Sequence, residues 1–92
     1  MDGETKKAAM RRLASAAGHL KGIERMVGED AYCIDTIQQI QAVQAALHKV
    51  NTMLLDAHLH SCVNEAVKGD DPAERERMLQ EVTSVFTVSS KL

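Results

Sequence analysis

Residues 29–68 contain neither glycine nor proline, and this uninterrupted run is the strongest constraint on the fold. It holds Gln38, Gln39, Gln41, Ala42, Gln44, Ala45, Ala46, Leu47 and Lys49, mostly good helix formers, so it reads as one helix over about 31–67. At 1.5 Å per residue such a helix is about 55 Å long. The breaker clusters Gly28-Glu29-Asp30 and Lys68-Gly69-Asp70-Asp71-Pro72 bound it, with further helices expected at about 5–27 and 72–88. Asp71 is placed to cap the third helix, with Pro72 in its first turn and Glu74 adding acidity at its start. The fold class is therefore all-α, with three helices in a single domain over residues 1–92.

On a wheel of about 100° per residue, Ile37, Ile40, Val43, Leu47, Val50 and Leu54 fall within roughly 140°. Two shorter helices of one small chain cannot cover so long an apolar stripe. The economical solution is an antiparallel homodimer around the middle helix; an intramolecular three-helix bundle is the alternative. A small helical chain buries only a modest core by itself, which favours association.

Composition narrows the function. Hydrophobic residues make up 45% of the chain, too many for a disordered segment. Aromatics are only 2%, which argues against a β-sandwich and against an aromatic nucleic-acid platform. Two cysteines do not make a disulfide framework. The start of the chain lacks the apolar core of a signal peptide, and no run matches a membrane span, so a cytoplasmic protein with reduced thiols is expected. No glycine-rich phosphate loop, Ser/His/Asp arrangement or CxxC pair supports an enzyme.

The net charge of −2 conceals an asymmetry. Residues 1–27 carry six basic against three acidic residues, whereas residues 28–92 carry five against ten. Arg11, Arg12, Lys21 and Arg25 make the first helix locally basic, and repetition by symmetry would give a surface able to bind phosphate backbones. A solvated helix face is the plainer explanation of such charges.

Cys33 opens the long helix, and His58 and Cys62 lie near its end at i, i+4 spacing. That spacing puts an imidazole and a thiol on one face, one turn apart. Cys33, His58 and Cys62 fall within about 40° of one another, beside Ile37 and Ile40. Along an unbroken helix, Cys33 and His58 stand about 37 Å apart and cannot meet within one chain. They can meet across an antiparallel partner whose two-fold axis passes near Leu47, giving two intersubunit sites per dimer. Two thiolates and one imidazole suit trigonal Cu(I), whereas structural Zn(II) wants a fourth ligand. Taken singly, each cysteine would read as a small buried hydrophobe. His19, His48 and His60 are lone histidines with expected surface or hydrogen-bonding roles, and the scattered methionines read as core filler.

The segments Gly18-His19-Leu20-Lys21-Gly22-Ile23, Asp30-Ala31-Tyr32-Cys33-Ile34-Asp35, Gln39-Ile40-Gln41-Ala42-Val43 and His58-Leu59-His60-Ser61-Cys62-Val63 occur in an order that resembles the copper-sensing repressors of the CsoR/RcnR family. The likeness runs from about Arg11 to Phe86. It implies a homodimer that pairs into a homotetramer, a dimer of dimers. It further implies binding of GC-rich operator DNA near its own promoter in the metal-free state, and release on binding Cu(I). By position, Cys33 of one protomer and His58 and Cys62 of the other are the implied ligands. Tyr32 and Glu81 are the implied link from the non-ligating side of His58 to the third helix, and Arg12 matches a DNA-contact position.

The chain departs from the family pattern in places. Ser15 stands where many members carry Arg, His19 where many carry Gln, and the segment between Cys62 and Glu81 is a few residues longer. Nickel and cobalt sensors of the family recruit an N-terminal His, and the first His here is His19. Persulfide sensors keep both cysteines but lack the equivalent of His58, which makes dithiol sensing through Cys33 and Cys62 the runner-up. A helical copper buffer that never touches DNA is a third possibility, from another class.

Overall fold

A computed structural model describes the backbone of residues 1–63, 68–69 and 71–91, with side chains for 1–61, 68–69 and 71–85. The described residues form helix α1 (Gly3–Gly28), helix α2 (Cys33–His58), a π-helical segment (Leu59–Val63) and helix α3 (Pro72–Lys91). No strand occurs among them. The chain divides into two compact units, residues 1–57 and 58–92.

The first unit is an α-hairpin. Asp2 caps α1: its Oδ1 accepts from the Thr5 backbone N–H at 2.7 Å and its Oδ2 from the Thr5 hydroxyl at 2.9 Å. These bonds, the backbone one foremost, hold the Asp2 carboxyl below the usual aspartate range. At the other end, the Ala31 N–H bonds the Met26 carbonyl and the Asp30 N–H bonds the Val27 carbonyl. That is a Schellman stop, and its left-handed residue is Asp30, at φ 55°, in place of the usual glycine. Asp tolerates this region better than most side chains, so the chain turns within residues 29–32 and re-enters a helix at Cys33.

So short a connection makes α1 and α2 antiparallel neighbours. Their buried residues repeat every seven positions: Ala9, Ala16 and Ile23 on α1, Thr36, Val43 and Val50 on α2. Ile23 pairs with Thr36, Ala16 with Val43 and Ala9 with Val50 in one antiparallel register, which the His19–Gln39 bond shares to within one residue. A seven-residue repeat is the seam of left-handed coiled-coil packing, and the small alanines let the helices approach closely. Among the described residues, a side-chain hydrogen bond crosses the seam: His19 Nε2–H donates to Gln39 Oε1 at 2.7 Å.

The apolar stripe expected on the middle helix is divided by this packing. Val43 and Val50 are buried at 5% and 3% exposure, whereas Ile37, Ile40 and Leu47 remain 48%, 39% and 41% exposed. A stripe roughly 140° wide exceeds what one helix contact covers. Its edge closes the seam with α1, and its centre faces outward.

Helix α2 is also shorter than its glycine- and proline-free run suggests. The α-helix expected over 31–67 ends at His58 and continues as the π-helical segment; residues 64–67 lie outside the described residues. A π turn closes i→i+5 bonds and needs no glycine or proline to mark it. The other helix ends agree with expectation to within three residues. In the second unit, Asp71 Oδ1 accepts from the Ala73 and Glu74 N–H groups at 3.0 and 3.4 Å, as its position before Pro72 predicts.

Candidate metal and nucleic-acid sites

The two ends of α2 carry the candidate ligands. Cys33 is its first residue, with an exposed, free thiol, and His58 is its last, half-buried. On α-helical geometry, Cys33, Ile37, Ile40, Leu47 and His58 all lie within about 40° of one line. That line is the outward, apolar side of α2 left uncovered by α1. The 25 rises between the two ends amount to about 37 Å, so α2 itself keeps Cys33 and His58 apart. Among the described residues, no three His, Cys, Asp or Glu side chains of one chain gather as a metal cage. Cys62 falls in the π-helical segment, and its side chain lies outside the described residues.

Helix α1 contributes to the same side of the hairpin. Leu13, Leu20 and Val27 follow one another at seven-residue spacing and are 41%, 56% and 62% exposed. Measured from the buried seam, they turn toward the side on which Ile37, Ile40 and Leu47 emerge. The hairpin thus presents a largely apolar face drawn from both helices, interrupted on α2 by the exposed Gln44 and Asn51, with Cys33 and His58 at its two ends.

Tyr32, just before α2, is exposed, and its carbonyl accepts the N–H and, more weakly, the hydroxyl of Thr36, at 3.1 and 3.3 Å. Glu81 lies on the exposed flank of α3, and its Oε1 accepts from Arg77 at 2.9 Å. Arg77 also forks onto Glu74 at 2.6 and 3.3 Å. The Glu74 hydrogen bond leads in raising the guanidinium's already high pKa, followed by the charges of both carboxylates. The described hydrogen bonds of Glu81 therefore run along α3 to Arg77, a partner that sequence reasoning missed. The i, i+4 order of Arg77 and Glu81 was the available signal.

The basic residues of α1 are all exposed but do not share one face. Arg11, Lys21 and Arg25 lie within about 80° of one another, opposite the buried Ala9/Ala16/Ile23 line. Lys7, one turn before Arg11, joins them and was not singled out from the sequence. Arg12 lies on the flank of the seam, on the side of the hairpin opposite the apolar face. The His19–Gln39 bond is on Arg12's side.

Comparison with known proteins gives a consistent picture. The family model described as metal-sensitive transcriptional repressor matches residues 5–88. The copper-sensing transcriptional repressor CsoR of Mycobacterium ulcerans is 47% identical over 64 residues, covering 70% of this chain and 55% of the relative. The match thus spans little more than half the length of that relative. CsoR of Bacillus subtilis is 42% identical over 78 residues, covering 85% of this chain and 77% of that protein. The crystal structure of CsoR with Cu(I) from Geobacillus thermodenitrificans superposes with a TM-score of 0.85 at 33% identity, covering 98% of this chain and 91% of that one. No helix among the described residues is long and apolar enough to cross a membrane. From the helical hairpin, the cysteine and histidine at opposite ends of one helix, and a family match over nearly its whole length, this chain belongs to the metal-sensitive transcriptional repressors.

Proposed function

We propose that the protein is a Cu(I)-responsive repressor that binds operator DNA when metal-free and releases it when Cu(I) occupies an intersubunit site. The observation that carries this reading is the single outward line on α2 that holds Cys33 and His58 at its ends and Ile37, Ile40 and Leu47 between them. Apolar surface of this extent calls for a partner, and a second copy laid antiparallel supplies one. In that register Cys33 of one protomer faces His58 and Cys62 of the other, with the axis near Leu47.

The donor set fits the metal. Two cysteine thiolates and one imidazole are soft ligands of low number, matching Cu(I). When bound, Cu(I) would link the start of one α2 to the end of the other. The chain's own residues do the rest. Cys33 and Cys62, as thiolates, and His58, through one ring nitrogen, would hold the metal, leaving the other His58 N–H to donate. Glu81, with Tyr32, is the acceptor that carries occupancy to α3; its present partner Arg77 must then share it. Arg11, Arg12, Lys21 and Arg25, with Lys7, supply phosphate contacts, and pairing of dimers into a tetramer multiplies them. The finer assignments are a GC-rich operator near its own promoter, derepression of copper-resistance genes, and residence in the cytoplasm, where thiols stay reduced. The role is regulatory and not enzymatic.

The test is anaerobic fluorescence anisotropy of labelled DNA from the gene's own upstream region, with metal-free protein and then added Cu(I). Release complete near one Cu(I) per chain is the expected result. Binding that ignores Cu(I) but responds to a persulfide donor would transfer the role to the Cys33/Cys62 dithiol. No binding to that DNA would favour a copper buffer.

A further inference from the structure

The hairpin has a second face, opposite the apolar one, and His19 sits on it. We propose that His19 is a proton-dependent contact to the nucleic-acid backbone, so that operator affinity is tuned by pH as well as by metal. This rests on the operator-binding reading above.

The geometry begins with Gln39 Oε1, which can only accept, so His19 must present Nε2–H to it at 2.7 Å. The neutral ring then has its lone pair at Nδ1, and protonation takes place there. The bond to Gln39 survives in both charge states, so gaining a proton leaves the hairpin tied and adds one donor and one positive charge.

The surroundings decide what that charge meets. On α1, Arg12 lies on the same side, two turns away or about 10 Å along the axis. On α2, Lys49, Asp35 and Asp56 turn to this side, and Asp35, the nearest of them, is displaced from His19 by about 7.5 Å along the axis. Two cations and two carboxylates thus become three cations and two carboxylates. Ser15, Gly22 and Ala42 also occupy this face, and a Cβ built on Gly22 meets nothing within 4 Å. A phosphodiester backbone can therefore approach it without steric conflict. In the dimer proposed above a second copy covers the apolar face, and this is the opposite side of the hairpin.

The experiment compares wild-type, His19→Gln and His19→Lys proteins, all metal-free, on the labelled upstream duplex. Binding is measured against salt at about pH 8 and about pH 5.5. For the wild type, the slope of log K against log salt should steepen at low pH by about 0.9 for each added phosphate contact, an affinity gain of about eightfold per contact at 0.1 M salt. His19→Gln should keep one slope at both pH values, and His19→Lys should show the steeper slope at both. Circular dichroism checks that each variant remains helical. Equal steepening in wild type and His19→Gln overturns the proposal, because the proton then binds elsewhere. Absence of DNA binding by every protein at both pH values overturns the operator reading itself, and this inference with it.

Discussion

Leu47→Glu tests whether the outward line of α2 is a homodimer interface. Leu47 is 41% exposed in the single chain, so a partner has about two fifths of its surface left to cover. Full burial of a leucine contributes about 1.5–3 kcal/mol, so that remainder is about 0.6–1.2 kcal/mol, or about 1–2.5 kcal/mol counted for both copies. The substitution also sets two carboxylates beside a two-fold axis, where desolvation costs several kcal/mol per ion. The combined loss exceeds about 5 kcal/mol, and tenfold per 1.4 kcal/mol makes the dimer more than a thousandfold weaker. Leu47 lies outside the seam formed by Val43 and Val50, so the hairpin should stay helical. Sedimentation velocity at micromolar concentration should show wild type as dimer or larger and Leu47→Glu as monomer, with circular dichroism nearly unchanged. Ala45→Glu, on the side of α2 facing away from both contacts, should sediment as wild type. A Leu47→Glu protein that sediments like the wild type would refute the reasoning.

Three further outcomes follow from local geometry. Val43→Ala removes buried methyl groups from the seam and should cost about 2 kcal/mol in denaturant unfolding; a loss below about 0.5 kcal/mol would mean the seam is loosely packed. Asp71→Ala removes the acceptor for the Ala73 and Glu74 N–H groups and should cost about 1 kcal/mol, read as reduced helicity of α3 by amide hydrogen exchange. Asp2 has a folded-state pKa below its unfolded one, so its capping contribution is fully present above the unfolded value and is lost as pH falls through the folded value. The stability difference between wild type and Asp2→Ala should therefore be present at neutral pH and vanish in acid; a difference that persists there would remove the carboxylate from the cap.

Much of the architecture was legible because helix periodicity and breaker residues are local signals. Asp71 before Pro72 fixed the start of α3, and the absence of Gly and Pro after Gly28 located α2. Three features were not legible, each for a physical reason. The left-handed residue of the first turn is Asp30, because a Schellman stop needs one residue with positive φ and adjacent Gly28 is the more obvious guess. The π-helical segment contains neither glycine nor proline and so carries no breaker signal. The split of the α2 stripe depends on which edge α1 occupies, and only the Ala9/Ala16/Ile23 register against Thr36/Val43/Val50 decides that. In the candidate sites, the spacing of Cys33, His58 and Cys62 was visible at once. The engagement of Glu81 by Arg77 had its signal in their i, i+4 spacing, whereas the side of the hairpin on which Arg12 falls required α1 and α2 in place.

Complementation between two defective chains tests the central claim, an intersubunit Cys33/His58/Cys62 site, most directly. One chain carries Cys33→Ala and the other carries His58→Ala with Cys62→Ala; each homodimer lacks every complete site. In the mixed dimer, Cys33 of the second chain meets His58 and Cys62 of the first, so one complete site is restored. Co-expressed, separately tagged chains purified as heterodimers and titrated anaerobically with Cu(I) against a chelator should bind one Cu(I) tightly per mixed dimer, and the homodimers none. A mixed dimer that binds no better than its parents would contradict the intersubunit site.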